Sequence, residues 1–118
     1  MNLTNFVQYI APLIGLITLA IGVAAMLKPE PMSKKFGVAV SGSALPYVIS
    51  TGMRDIFMGL VVLLLFYRQE TATLGVCMFF LSAVALSDFW IVFKHGDRKT
   101  SFVHLSAAVA AAGYGLWI

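Results

Sequence analysis

Four long apolar stretches, parted by brief polar or charged interruptions, set the pattern of this chain. They cover residues 5–27, 46–67, 71–93 and 100–118. Each is close to the ~20 residues a helix needs to cross a bilayer. Lys28-Pro29-Glu30-Pro31 stops the first, Arg68-Gln69-Glu70 the second and Lys94-His95-Gly96-Asp97 the third. The pattern predicts an all-α fold, with residues 1–118 as one domain built as an antiparallel bundle of four transmembrane helices. The last two connections are short, which makes successive helices antiparallel neighbours. Residues 28–45 form the one long connection. It accommodates a short interfacial helix starting at Pro31, then a glycine- and serine-rich run, Ser41-Gly42-Ser43, able to fold toward the bundle as a lid.

Small residues mark where helices can touch. Ala11, Gly15, Thr18, Gly22 and Ala25 alternate at spacings of four and three along one face of the first helix. Ala107, Ala108, Ala110, Ala111, Ala112 and Gly113 crowd the fourth. Such stripes let helix backbones approach closely, and the partner is either a helix of the same chain or a second copy. Four helices enclose little volume, so a homodimer is one reading.

Ionisable residues break the apolar pattern at Arg54, Asp55, Asp88 and His104. Charges at membrane depth cost at least ~2.5 kcal/mol each, so they mark a site by default. At about 1.5 Å per residue, Asp55 lies roughly 20 Å from the face that holds the 68–70 turn. By the same count Asp88 lies roughly 25 Å and His104 roughly 21 Å from it. Three helices are therefore expected to bring two acids and an imidazole to one layer, a buried polar pocket.

Composition narrows the class. The chain is 60% hydrophobic and 11% charged, which excludes an ordinary soluble domain and a disordered one. A single cysteine, Cys77, excludes an internal disulfide and a thiol–disulfide enzyme of the four-helix quinone-reducing kind. The net charge of +3 is a topology signal and not a nucleic-acid signal. Lys28, Lys34, Lys35, Lys94, Arg98 and Lys99 share one side, against Arg68 on the other. The positive-inside rule then puts the basic loops in the cytoplasm and both termini on the lumenal or outer side. The expected location is an endoplasmic-reticulum-type membrane in a eukaryote or the inner membrane in a bacterium. Asn2, Thr4, Asn5 and Gln8 precede the first span without a basic start, so no cleavable signal peptide is expected.

Each candidate has a plain alternative. A carboxyl at Asp88, among Ala85, Leu86, Phe89 and Trp90, either pairs with a cation or holds a proton and serves as an acid. The plain version is an ion pair with Arg54 that locks the second helix to the third. Arg54 and Asp55 are consecutive and point about 100° apart, so each is expected to find its partner elsewhere. Asp55 would be a first-turn acid, capped by Ser50 or Thr51, if the helix began there. Such a helix would be only roughly 25 Å long, so a start near Pro46 is preferred. His104 can move a proton near neutral pH or simply hydrogen-bond near the interface. His95 belongs to a charged loop. Tyr47, Tyr67, Trp90 and Trp117 are placed as interface aromatics, with Tyr47 offering a phenol at the pocket mouth. Asp55, Asp88 and His104 could make a metal site, but no HxxxH, CxxC or Glu-x-x-His motif supports one. A bis-histidine haem lacks its second deep histidine. No cofactor and no metal are expected.

The order of these features resembles a known group. A first span ending in proline is followed by Phe36-Gly37, then Arg54-Asp55-Ile56-Phe57-Met58-Gly59 in the second span. Ser87-Asp88-Phe89-Trp90-Ile91-Val92 ends the third, a Lys-His-Gly turn follows, and the fourth carries an early histidine. This layout resembles the small four-helix integral membrane proteins of the DoxX-like superfamily, in a branch common in fungi and bacteria. The resemblance implies, by analogy with members that accompany polyketide or terpenoid biosynthetic genes, epoxide opening or cyclisation of oily intermediates. It would give acid and base roles to Asp55, Asp88 and His104. Arg54, Tyr47 and Trp90 are the candidate supporting residues.

The leading expectation is a membrane-embedded acid–base enzyme on a lipophilic small molecule that enters from the lipid, with epoxide hydrolysis or epoxide-opening cyclisation as the reaction. The alternative is a non-catalytic accessory or assembly subunit whose polar layer is a clamp. Proton-coupled transport fits the buried acids but not the size.

Overall fold

The computed structural model describes residues 7–118, all of whose regular elements are helical. The helices are α1 (Ile10–Leu27), α2 (Pro29–Phe36), α3 (Leu45–Tyr67), α4 (Thr71–His95) and α5 (Arg98–Trp117). A short 3-10 turn, Gly42–Ala44, leads into α3. The expected start of the first span at Asn5 lies outside the described residues. Three segments, Ile10–Leu27, Gly42–Tyr67 and Thr71–His95, are long and apolar enough to cross a membrane. Their outward faces carry Leu13, Leu16, Phe57, Leu60, Leu64 and Phe80, all exposed. Water would not tolerate so continuous an apolar surface, whereas lipid does. These are the features of an integral membrane protein.

The helices associate as two tight pairs. Antiparallel α1 and α3 meet at two glycine pairs, each seven residues apart on its own helix. A Cβ on Gly22 would stand 2.6 Å from the Gly52 carbonyl oxygen, and one on Gly52 would stand 2.8 Å from the Gly22 oxygen. One turn-pair further along, a Cβ on Gly59 would stand 2.7 Å from the Gly15 oxygen. The backbones therefore touch, as small-residue seams in membranes allow. The stripe on the first helix thus finds its partner within the same chain. Likewise α4 and α5 pack antiparallel, and a buried bond from Ser82 Oγ to the Ala108 carbonyl (2.8 Å) joins them. The two pairs meet in an apolar cluster of Ala11, Val62, Leu74, Met78, Ala111 and Tyr114 toward the 68–70 turn. Elsewhere α3 and α4 run side by side with few contacts.

The chain between α1 and α3 is folded down, as its glycines allow. α2 begins one residue pair earlier than the sequence suggests, at Pro29, because proline is accepted in a first helical turn. It ends at Gly37, whose φ of 115° is a left-handed cap that an L side chain would strain. The Gly37 carbonyl accepts a bond from the Asp97 N–H (2.9 Å), and Gly37 and Gly96 lie in contact. Ser33 Oγ accepts from the Val40 N–H (3.0 Å). This pins the connection onto the α4–α5 turn and turns Phe36, Val38 and Val40 toward the space between the helices.

Candidate functional site

Helix α3 begins at Leu45, so Asp55 sits in its interior and not in a first turn. Asp55 is 7% exposed. On α4, Asp88 is nearly as well covered, and Arg54 stands between the two. Arg54 Nη2–H donates to Asp55 Oδ1 and to Asp88 Oδ2, both at 3.2 Å, and Nε–H adds a second contact to Asp55 Oδ1 at 3.3 Å. The expectation that Arg54 and Asp55 could not pair is therefore corrected. Their Cβ atoms do diverge, but the arginine side chain is long enough to curl back along the helix to its neighbour. The plain ion pair between Arg54 and Asp88 is also formed.

One guanidinium thus serves two carboxylates from two helices. With both acids ionised the cluster would carry a net charge of minus one, and it is neutral when the pair holds a single proton. Splitting the fork leaves each contact longer than the ~2.7–2.9 Å of a dedicated charge-assisted bond. Among the described residues, no buried side-chain nitrogen or oxygen lacks a hydrogen-bond partner.

His104 reaches the same layer from α5 with a different partner. Its Nε2–H donates to the Phe36 carbonyl (2.9 Å), and its ring packs on the Phe36 ring with centroids 4.6 Å apart. A carbonyl can only accept, so this bond fixes the proton on Nε2 and leaves Nδ1 as the other polar edge of the ring. His104 therefore ties the folded-down connection to the bundle while facing the acids across a small cavity.

Two cavities share the acids as a common wall. The larger, about 380 Å³, opens beside Tyr47, Thr51 and Arg54 under the Phe36–Val40 segment. The smaller, about 130 Å³, is lined by Thr18, Met58, Val84 and His104. Asp55, Asp88, Ile21 and Phe36 border both. Tyr47 lines the larger space near its mouth and is largely exposed. Trp90 is exposed on α4 and borders neither cavity, so its expected supporting role has no geometric basis. The sequence gives no sign of Ser33, marks Phe36 only within the Phe36-Gly37 pair, and marks Thr51 only as a candidate helix cap. Thr51 Oγ–H donates to the Tyr47 carbonyl one turn earlier, and nothing in residue type alone separates it from other helical threonines. No group of three histidine, cysteine or acidic side chains placed to hold a metal occurs among the described residues.

A helical membrane protein with a carboxylate–guanidinium–carboxylate cluster walling an apolar cavity is the class that this geometry defines. The chain belongs to the family described as a domain of unknown function, DUF4267, whose profile matches residues 15–118. That match takes in α3, α4, α5 and every residue of the cluster. No curated protein and no solved structure matches the chain.

Proposed function

We propose that this protein is a membrane-embedded acid–base enzyme that opens an epoxide on a lipophilic substrate, by water or by an internal hydroxyl. The observation that carries the reading is the shared guanidinium: Asp55 and Asp88, from two helices, lie on one Arg54 nitrogen at the wall of a cavity of about 380 Å³. A pair holding one proton is one acid and one base. The acid protonates the epoxide oxygen as its C–O bond breaks, and the carboxylate takes the proton of the attacking hydroxyl. The opened product carries the new C–O bond and a hydroxyl, and the pair is restored with its single proton. Arg54 holds the two carboxyls at a fixed separation and keeps one of them ionised. Tyr47 and Thr51 offer hydroxyls at the mouth.

In this reading α5, 20 residues long, is the fourth membrane span. The basic residues at the α1, α2, α4 and α5 ends then face the cytoplasm. The DoxX-like resemblance supports the arrangement by analogy only. The accessory-subunit alternative predicts a polar layer filled by its own side chains, and the open volume beside Arg54 counts against it. The test is turnover of long-chain and terpenoid epoxides by protein in lipid nanodiscs. Asp55→Asn and Asp88→Asn should each lower turnover by about 100-fold or more, the ordinary worth of a positioned proton donor or acceptor. Turnover equal to wild type in both variants would sink the assignment.

A further inference from the structure

A third hollow, about 200 Å³, runs along the outer side of the α3–α4 seam and is lined only by apolar side chains and Cys77. Three of its residues, Met58, Leu81 and Val84, also wall the small cavity that contains Asp55, Asp88 and His104. Met58 lies one turn along α3 from Asp55, and Val84 lies one turn along α4 from Asp88. The hollow continues from there past Val62 and Phe80, so it covers about 10 Å of helix on the lipid-facing side of the acids. It exists because α3 and α4, though joined by a short turn, touch little along this stretch.

We infer that this groove is the hydrocarbon subsite of the enzyme and its lateral portal. Its occupant is the aliphatic or terpenoid tail of a substrate whose single polar, reacting end rests at the Asp55–Arg54–Asp88 layer. The inference rests on the acid–base reading above for the identity of the reacting end, and it adds where the tail lies and how it arrives. Adjacency argues for that occupant over a bystander lipid tail. Only the apolar side chains of Met58, Leu81 and Val84, which wall both spaces, stand between a chain in the groove and the cavity that holds the carboxylates. A phospholipid tail has no polar end to place at that depth. Substrates with the reacting group in mid-chain, or flanked by two polar ends, do not fit this geometry.

The probe is a long-chain terminal epoxide carrying a mid-chain diazirine, photolysed with the full chain in nanodiscs and mapped by peptide mass spectrometry. Labelling is expected on Met58, Cys77, Phe80 and Leu81, displaced by excess unlabelled epoxide. Val84→Trp and Met58→Trp should lower it by about tenfold, since each fills the passage with a bulky ring. Leu64→Trp, on the same helix but exposed outside the groove, should leave it unchanged. Label confined to Tyr47, Val48 and Ile91 would overturn the portal, because it would show access from the other cavity. So would a groove label that matches the pattern of a diazirine phospholipid and resists competition. The wild-type map decides these outcomes even if a tryptophan variant fails to fold. Turnover without groove label removes the portal and leaves the enzyme, whereas displaceable groove label without any turnover does the reverse.

Discussion

Helix α3 takes part in two seams that are built on opposite terms. Toward α1 it presents Gly52 and Gly59, and the backbones come together until a single added carbon would collide with a carbonyl. Toward α4 it presents Asp55 and Met58, and the helices stand apart around cavities, with Arg54 spanning the gap. Lipid offers no hydrophobic drive for helices to associate, so close packing has to come from shape. The first seam uses shape alone. In the second, charge holds the helices at a distance, which leaves room for something else. A membrane protein with no task for its interior would gain by making both seams like the first. Keeping ions at this depth makes sense where the space beside them is used.

The comparison is broken most violently at the tight seam. Gly22→Leu puts a branched side chain where the Gly52 carbonyl and the Ile56 N–H already stand, 2.6 and 2.7 Å from the position of a Cβ. Both obstacles are backbone and cannot rotate away. A loss of about 3 kcal/mol, the upper end of the usual overpacking cost, is expected in a denaturant titration in detergent. A loss below ~1 kcal/mol would mean that α1 and α3 are free to separate.

Arg54→Gln tests the loose seam. It leaves Asp55 and Asp88 facing each other without the cation they share. Removing one member of a fully buried pair costs about 3–5 kcal/mol, and the partial exposure of Arg54 brings the expected loss to about 2 kcal/mol at neutral pH. Arg54→Lys should recover part of this, because it restores charge but not the fork that touches both acids. Asp88→Asn should cost less than Arg54→Gln, since it leaves the guanidinium its bonds to Asp55. If instead Asp88→Asn were the more damaging change, the cluster would be a clamp first and the accessory-subunit reading would lead.

The two seams were unequally visible in the sequence. Helix rise is constant, so counting residues from a turn was enough to place Asp55 and Asp88 at one depth, and Arg54 does bridge them. The acids stood out because nearly everything around them is apolar. The tight seam is half visible: Gly15 and Gly22 stand in a small-residue stripe, but residue type alone does not match them to their partners Gly59 and Gly52, which have the same spacing of seven. In lipid both the packed and the exposed face of a helix are apolar, so the periodicity that would reveal a soluble helix's inner face is lost. Two other features were hidden for different reasons. The partner of His104 is a backbone carbonyl, which has no residue-type signature. The Arg54–Asp55 contact depends on the reach of a flexible side chain and not on the helical wheel.

His104 sharpens the comparison on a smaller scale, because it fixes the segment that roofs the loose seam. His104→Ala removes the bond to the Phe36 carbonyl and the ring contact, and an expected loss of about 1 kcal/mol is mostly local. The readout is amide exchange at Gly37, Val38 and Val40, which should quicken while the amides of α1 and α3 hold. His104→Phe keeps the ring and loses only the bond, so it should fall between the two. Equal quickening along the whole of α5 would show that the histidine supports the bundle and not the roof.

The smallest expected effect is at the α4–α5 turn, where the same roof is pinned from below. Asp97 caps α5: its carboxylate accepts from the Thr100 hydroxyl (2.7 Å) and the Lys99 N–H (3.1 Å). The Thr100 hydroxyl first, and the Lys99 N–H second, hold the Asp97 carboxyl below its ordinary range. The sign follows from linkage. A group whose folded value is depressed contributes stability above its unfolded value and loses that contribution as the pH falls through the folded one. Asp97→Asn should therefore lower the Tm slightly at neutral pH, because asparagine caps nearly as well without the charge. The gap between wild type and variant should shrink as the pH is lowered past the ordinary carboxylate range. A gap that stays constant down to strongly acidic pH would mean that the cap works through its geometry alone. The pin on Gly37 would then owe nothing to charge.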